Sequence, residues 1–128
     1  MEKYFISYNR DEFSHLKNQK DGTLIVDLVS QRVTEGIERI YFDNIAFISL
    51  DKDIFDNINK WMKDENTTVI VVSDYNVFYG WTEKELISAI NYERPIFQIS
   101  IKKFIKFYVD KKMLLKDVIS KKAKKLQY

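Results

Sequence analysis

The polar side chains best placed for chemistry end or follow short apolar segments that have the composition of β-strands. Ser7, Tyr8 and Arg10 end or follow the first such segment, Asp43 ends the second and Ser73 ends the third. In an open parallel sheet, ligands bind in the crevice beyond the carboxyl ends of the strands. Arg10 carries the planar guanidinium that holds a phosphate with two hydrogen bonds. Structural roles stay open: a solvated turn for Arg10, the core for Tyr8 and a turn cap for Asp43.

Glu85 lies near the start of a helix that follows the third apolar segment. Apolar residues at helical spacing predict this helix over residues 82–92, with Leu86, Ala89 and Ile90 facing inward. Glu85 therefore belongs to the same crevice as the strand ends. It is also the last residue of Thr82-Glu-Lys-Glu85, the pattern of a capping box, in which the threonine and the glutamate bind each other's free backbone N–H groups. The residues alone allow both interpretations.

Segments with strand-like and helix-like patterns alternate along the chain, which favours an α/β fold. The third strand-like segment is continuously apolar and β-branched, as expected for a central parallel strand covered on both faces. The predicted strands are residues 3–8, 40–42, 67–73 and 95–101, and helices are predicted over 23–36, 54–62 and 82–92. The expected architecture is a flavodoxin-like open parallel sheet of four to five strands flanked by helices. The first, third and fourth predicted strands are expected to be neighbours in its interior.

Length and composition predict one domain over residues 1–128. Apolar residues make up 45% and charged residues 31%, the usual balance of a packed core and a solvated surface. The chain has no cysteine and one histidine, His15, so neither a disulfide nor a transition-metal cluster is expected. Its first residues lack the pattern of a signal peptide, and no apolar run approaches the roughly 20 residues that span a bilayer. We therefore expect a cytoplasmic protein with no membrane partner.

The C-terminal part of the chain is strongly basic. Residues 102–128 contain ten lysines against two aspartates, although the net charge of the whole chain is only +2. Apolar residues at helical spacing between these lysines predict a basic helix over about 102–126, docked on the body of the domain. The segment has no arginine, and Phe104, Phe107 and Tyr108 lie near its apolar stripe instead of forming a stacking platform. Nucleic acid is therefore not an expected partner.

Four segments of the chain, in order, resemble the TIR (Toll/interleukin-1 receptor) family. Phe5-Ile-Ser-Tyr8 looks like the first strand of that family, and Tyr41-Phe-Asp43 is similar to its second. Val69-Ile-Val-Val-Ser73 with Gly80-Trp81-Thr-Glu-Lys-Glu85-Leu86 resembles a hydrophobic strand followed by a W-x-x-x-E-L helix start, and Pro95-Ile-Phe-Gln-Ile99 resembles the next strand. The resemblance covers most of residues 3–101. It is closest to small bacterial TIR-like proteins, including the nucleotide-signal producers of Thoeris-type antiphage defence.

The resemblance implies a chemistry. Catalytic TIR domains cleave the nicotinamide–ribose bond of NAD, and some cyclise or transfer the ADP-ribosyl product. Departure of nicotinamide leaves an oxocarbenium-like ribose, whose positive charge a fixed carboxylate stabilises. The implied enzyme is an NAD glycohydrolase or ADP-ribosyl cyclase in nucleotide signalling or antiviral defence, with NAD as its substrate and no separate cofactor or metal. The family's glutamate corresponds to Glu85, and substrate contacts are expected at Phe5, Ser7, Tyr8, Arg10, Asp43, Ser73 and Trp81.

Some residues depart from the family pattern. Thr82 stands where many members have cysteine. Trp81 matches the family's tryptophan, and we expect it to act mainly as a packing anchor. The family implies homo- or hetero-oligomers with other TIR-like proteins. The loop after the second predicted strand, however, contains no glycine or proline, unlike the common BB loops through which head-to-tail assembly occurs. The chain is also shorter than most TIR domains, which leaves two alternatives for the family's usual fifth strand: it is lost, or the basic helix replaces it.

Other functions fit the same residues. A non-catalytic TIR-like module would bind another TIR protein or a nucleotide. A nucleoside deoxyribosyltransferase-like enzyme would share the sheet and the carboxylate while acting on another N-glycosidic bond. A receiver-type phosphoswitch ranks last, because Asp74 follows the central strand but no convincing adjacent acidic pair ends the first strand.

Overall fold

The computed structural model describes residues 1–43 and 51–128 and, for residues 51–53, the backbone only. In chain order, the elements are β1 (Lys3–Tyr8), α1 (Arg10–Phe13), α2 (Ile25–Thr34), β2 (Arg39–Phe42), α3 (Asp51–Lys63), β3 (Thr67–Val72), α4 (Gly80–Asn91), β4 (Ile96–Ile99), α5 (Ile101–Phe104), a π-helix (Ile105–Asp110), α6 (Leu115–Lys122) and β5 (Lys124–Lys125). Helices α2, α3 and α4 each lie between two parallel strands in the chain, as in βαβ units.

The strands form one open sheet in the order β2-β1-β3-β4-β5. β1 pairs in parallel with β2 and with β3, and β3 pairs in parallel with β4, whereas β5 is antiparallel to β4. The predicted α/β fold is confirmed, because this is a flavodoxin-like, mostly parallel sheet of five strands. Strands β1, β3 and β4 are neighbours, as predicted. The strand order reverses between β1 and β3, so the expected ligand crevice lies there.

Each face of the sheet is covered by its own apolar core. Side chains alternate between the faces along a strand, so Tyr4, Ile6 and Tyr8 of β1 point to the core formed with α2, the π-helix and α6. Phe5 points to the opposite core, formed with α3 and α4. Ser7 lies on the same face of β1 as Phe5. The Ser7 hydroxyl is thus directed at α4 from the face of β1 that also carries Phe5.

The predicted helices α2, α3 and α4 are confirmed, with one inward position wrong. Leu86 and Ala89 of α4 are buried, as expected. Ile90 is 41% exposed, because the buried stripe of α4 runs through Thr82, Glu85, Leu86 and Ala89, and position 90 is turned away from it.

The mostly continuous basic helix predicted over about 102–126 is divided into a π-helical part and a separate helix α6, and it does not extend to residue 126. The π-helix follows α5 with the i to i+5 bonding of that form, and the Lys111 N–H donates to the Lys106 carbonyl at 3.0 Å. Lys112 then takes a left-handed φ of 54°, and Leu114 is extended before α6 begins. The chain ends not in a helix but in β5, which supplies a short fifth strand. Helical periodicity did not reveal this interruption, because each piece separately keeps the same spacing.

The C-terminal segment is nevertheless docked on the body, as predicted. Phe104, Tyr108 and Leu115 are almost completely buried. The Arg32 guanidinium lies 4.7 Å from the Tyr108 ring centroid and donates to the Tyr108 carbonyl at 2.9 Å. At the start of α6, Glu38 accepts hydrogen bonds from the Leu115 and Lys116 N–H groups at 2.7 and 3.1 Å. A carboxylate is favourable there because the first N–H groups of a helix have no partner within the helix.

Candidate active site

An open cavity of about 260 Å³ lies at the carboxyl ends of β1 and β2, against the start of α4. It lies beside the reversal of strand order, where flavodoxin-like sheets bind ligands. Five of the side chains selected from the sequence line it: Tyr8, Arg10, Asp43, Trp81 and Glu85. The fold therefore brings together residues that are as many as 77 positions apart in the chain.

Glu85 is held at this cavity by Ser7. The Ser7 hydroxyl donates to Glu85 Oε1 at 2.6 Å, and both residues are buried. The contact follows from two local patterns: Ser7 is on the face of β1 that points to α4, and Glu85 is on the buried stripe of α4. A carboxyl group only 8% exposed, with one oxygen fixed by a hydroxyl, is oriented before any ligand arrives.

Burial changes the acidity of this carboxyl group. Removal from water disfavours the charged form and raises the pKa of Glu85 to about 8, against an ordinary value of 4.5. The hydrogen bond from Ser7 and the charge of Arg10 lower the pKa, and the charge of Asp43 raises it. Glu85 is therefore mostly protonated at pH 7 in the free protein. A cationic ligand group beside it would favour the ionised form.

Of the two interpretations open for Thr82 and Glu85, the structure does not show the capping box. Helix α4 begins at Gly80 with Tyr79 in the capping position, so Thr82 already lies inside the first turn. Its hydroxyl donates to the Tyr8 carbonyl at 2.6 Å, and the Glu85 side chain is turned to Ser7 instead of to the backbone. Gly80 makes the earlier start possible, because its φ of 61° lies in the left-handed region that other residues rarely adopt. The two side chains attach α4 to the end of β1.

Tyr8 connects the ends of β1 and β2. Its hydroxyl donates to the Asp43 carbonyl at 2.5 Å, and its ring is stacked on Phe42 with a centroid distance of 5.2 Å. Burial raises the pKa of Tyr8 to about 12, so the phenol stays protonated throughout the neutral range. Tyr8 thus serves as both a core residue and a cavity wall. Arg10 is the only basic side chain among the described residues of that wall.

Trp81 packs against the core and also lines the cavity. The indole is partly buried between the sheet, α3 and α4. The Lys84 ammonium lies 4.5 Å from the Trp81 ring centroid, a cation–π distance. The ring is therefore a fixed wall whose position is determined by packing.

Three predicted substrate contacts, Phe5, Ser7 and Ser73, are not among the residues that line the cavity. Ser7 reaches it only through its hydrogen bond to Glu85. Phe5 is fully buried and stacked on Tyr41 with a centroid distance of 4.5 Å, so it is a core residue. Ser73 is buried and donates to Glu12 Oε1 at 2.9 Å, and neither residue lines the cavity. For Phe5 and Ser73 the reason is the same: membership of a strand that reaches the site, or a position directly after it, does not decide which way a side chain points.

Residues that the sequence interpretation left out of the site complete the wall: Ile6, Asp11, Ile54, Tyr79, Gly80 and Thr82. Tyr79 and Gly80 directly precede Trp81, so adjacency to that residue was an available signal. Ile54, from α3, carried no such signal. The turn after β2, whose composition argued against head-to-tail assembly, falls in residues 44–50 and lies outside the described residues.

Neither a metal cluster nor a membrane span is found in the parts of the chain that the structure covers. No three His, Cys, Asp or Glu side chains in residues 1–43 and 54–128 converge as metal ligands would. Among the helices described, none combines the length and apolar composition needed to cross a bilayer.

Comparison with protein-family models, with curated proteins and with solved structures found no match to this chain.

Replacing Ser7 by alanine is expected to raise the pKa of Glu85 further, because the hydroxyl hydrogen bond stabilises the charged carboxylate. NMR titration of the Glu85 side-chain carboxyl carbon measures this directly. Ser88→Ala is the matched control, since Ser88 is a buried serine on the same helix that donates to Asn59 at 2.6 Å instead. An unchanged or lower pKa in Ser7→Ala would contradict the described contact.

Proposed function

We propose that this protein is a TIR-like NAD-processing enzyme, an NAD glycohydrolase or ADP-ribosyl cyclase that acts in cytoplasmic nucleotide signalling or antiphage defence. The observation that carries the proposal is the buried Glu85 carboxyl group, fixed by Ser7 at 2.6 Å and facing an open cavity beside the reversal of strand order. Four sequence segments that resemble the TIR family agree with this position of the carboxylate.

The proposed reaction begins with cleavage of the bond between nicotinamide and ribose. The bonding electrons leave with the nicotinamide nitrogen, and the ribose becomes an oxocarbenium-like cation. A carboxylate held beside that carbon stabilises the developing charge without reorganising, which makes preorganised groups effective. Water or a hydroxyl of the same molecule then attacks the cation and loses its proton, which yields ADP-ribose or a cyclic product.

The cavity suits one end of the substrate better than the whole. Its volume of about 260 Å³ lies just below the range of about 300 to 1,000 Å³ typical of small-molecule pockets. We assign the nicotinamide riboside end to the cavity, between Trp81, Tyr8 and Glu85. Arg10, on the wall, then binds the pyrophosphate with its guanidinium. Asp43 lies on the same wall and adds negative charge near the cationic nicotinamide ring.

The acidity of Glu85 favours a second candidate, a TIR-like nucleotide-binding module that does not consume its ligand. With a pKa of about 8, the carboxyl group is mostly neutral at pH 7 and can donate a hydrogen bond to a nucleotide oxygen or ring nitrogen. In the enzyme, the cationic nicotinamide ring must bring this pKa down on binding. In the module, no such change is needed.

Incubation of the purified protein with NAD, followed by mass spectrometry of the products, separates these functions. The enzyme is expected to release nicotinamide together with ADP-ribose or a cyclic ADP-ribose isomer. NAD that is bound but recovered intact, both alone and with TIR-like partners, would support the binding module instead. A parallel incubation with a deoxynucleoside and a free nucleobase tests for base exchange, which would indicate a deoxyribosyltransferase-like enzyme.

A further inference from the structure

A second concave surface, which we call the lysine groove, lies apart from the Glu85 cavity. It has a volume of about 720 Å³ and is formed by the end of β4, the first turns of the helix that follows, the end of α6 and β5. It shares no lining residue with the Glu85 cavity. Six of its lining residues are lysines: Lys102, Lys103, Lys106, Lys121, Lys122 and Lys124.

The positive charge of the lysine groove is not compensated locally. No acidic side chain is among its described lining residues. The ion pairs found in the described part of the chain, Lys3 with Asp64 and Arg32 with Glu35, involve none of the six lysines. Like charges confined to one concave surface repel each other and produce a positive potential that attracts anions. An anionic ligand would relieve that repulsion.

Phe107 places an aromatic ring beside these lysines. The ring is half-buried, and the ammonium groups of Lys122, Lys111 and Lys106 lie 4.4, 5.1 and 5.4 Å from its centroid. In a regular α-helix, Phe107 would share the core face with Phe104 and Tyr108. In the π-helix, Phe107 packs at the edge of the core that buries those two residues, and it stays partly exposed. The fold thus supplies the stacking surface that the sequence pattern did not predict.

We infer that the lysine groove binds single-stranded nucleic acid through its phosphates, with one base stacked on Phe107. A positively charged groove that follows the backbone, combined with an aromatic ring, is how proteins bind single strands without reading sequence. The basic side chains of the groove are lysines, which lack the planar fork with which arginine recognises guanine, so the binding is independent of sequence. Its concave shape suits a flexible strand better than the flat surface of a membrane.

The test is fluorescence anisotropy of the full chain with a labelled single-stranded oligothymidylate of about twelve nucleotides. The expected Kd is micromolar at low salt. It should weaken by about a hundredfold between 50 and 200 mM NaCl, because five or six neutralised phosphates give a steep salt dependence. Lys102→Glu combined with Lys121→Glu is expected to weaken binding at least about tenfold. Both side chains are exposed, so folding should be retained.

Lys60→Glu combined with Lys63→Glu is the matched control, because it makes the same charge change on exposed positions of α3, on the other face of the sheet. This control is expected to lower affinity less than threefold. Phe107→Leu keeps an apolar side chain for packing but removes the ring, and it is expected to weaken binding about tenfold. Thermal unfolding of each variant confirms that the fold is intact.

Three results would overturn the inference. Equal losses in the groove variant and the α3 control would show that net charge alone attracts the strand. Unchanged affinity in Phe107→Leu would overturn the stacking of a base on this ring and leave only the attraction of phosphates to the lysines. Binding to vesicles of phosphatidylcholine and phosphatidylserine, with none to the oligonucleotide, would assign the groove to an anionic membrane instead.

Discussion

Glu85→Gln is expected to lower the turnover number for NAD by at least about a hundredfold. Glutamine has the same size and can still accept the Ser7 hydrogen bond, but it carries no negative charge. A loss of about 3 kcal/mol of transition-state stabilisation corresponds to this factor. The effect is measured as the rate of nicotinamide release at saturating NAD, with chromatography used to quantify the nicotinamide.

Glu83→Gln is the control for this experiment. Glu83 is on the same helix, two residues earlier, but it is exposed and does not line the Glu85 cavity. Its substitution should leave turnover within twofold of the unmodified protein. Near-normal turnover in Glu85→Gln would contradict the role assigned to the carboxylate.

The pH dependence of turnover gives an independent check on the same role. If the ionised form of Glu85 is required, kcat/KM should rise with pH and level off above about 8, the pKa of the group in the free protein. The profile of kcat should level off at a lower pH, since the cationic nicotinamide ring favours the ionised form in the complex. This rising limb should be absent from any residual activity of Glu85→Gln.

Glu85→Gln is also expected to stabilise the fold at alkaline pH. The pKa of Glu85 is raised on folding from 4.5 to about 8, so the folded state holds its proton more tightly than the unfolded state does. The stability that goes with this proton is fully present below pH 4.5 and is lost as the pH rises through 8. The loss amounts to roughly 5 kcal/mol at about 1.4 kcal/mol per unit of pKa. Glutamine, which does not titrate, avoids it.

Urea unfolding at pH 4.5 and pH 9 measures this effect. The free energy of unfolding of Glu85→Gln minus that of the unmodified protein should be larger by several kcal/mol at pH 9 than at pH 4.5, which means that the variant is relatively more stable at pH 9. Glu83→Gln should show no comparable difference between the two pH values, because its carboxyl group is exposed. A pH-independent effect of Glu85→Gln would mean that folding does not raise the pKa of Glu85. Lower activity together with higher stability in Glu85→Gln is the pattern expected when a functional residue destabilises the fold.

The sheet was predictable because its determinants are local. β3 is a run of β-branched and apolar residues, and such a run is stable only between two covering layers. Alternation with helices then implies parallel crossovers, and β1, β3 and β4 become neighbours. The general position of the site follows from the same reasoning, since parallel strands end at one edge. Tyr8, Arg10 and Asp43 therefore reach one cavity, as expected.

The details of the site depend on the directions in which individual side chains point, and residue spacing in the sequence predicts those directions poorly. The hydrogen bond between Ser7 and Glu85 joins residues 78 positions apart. Predicting it requires knowing which face of β1 points to α4 and how α4 is rotated about its axis. The two-residue period of a strand puts Phe5 and Ser7 on one face. It does not predict which of the two residues the helix covers. The start of α4 was misplaced because Thr82 and Glu85 have the right types for a capping box, whereas Gly80 allows an earlier start.

The C-terminal segment was predicted only in part, for a related reason. Burial of its apolar residues follows from their helical spacing, and that spacing is kept on both sides of the interruption. The interruption depends on a left-handed lysine, Lys112, in place of the glycine that would have marked the position. It also depends on Arg32 and Glu38, which bind the chain there from distant positions. Such long-range partners leave no periodic pattern.

The two-residue strand β5 determines how one side of the sheet ends. A bare edge strand presents unpaired N–H and C=O groups to any extended chain nearby, and sheets aggregate by this route. Here the backbone of β4 is already occupied by Lys124 and Lys125, and the Leu126 N–H donates to the Ile96 carbonyl at 2.8 Å. The new edge is only two residues long and carries two positive charges, which repel an identical edge. Fibril growth by strand addition is therefore disfavoured on this side of the molecule.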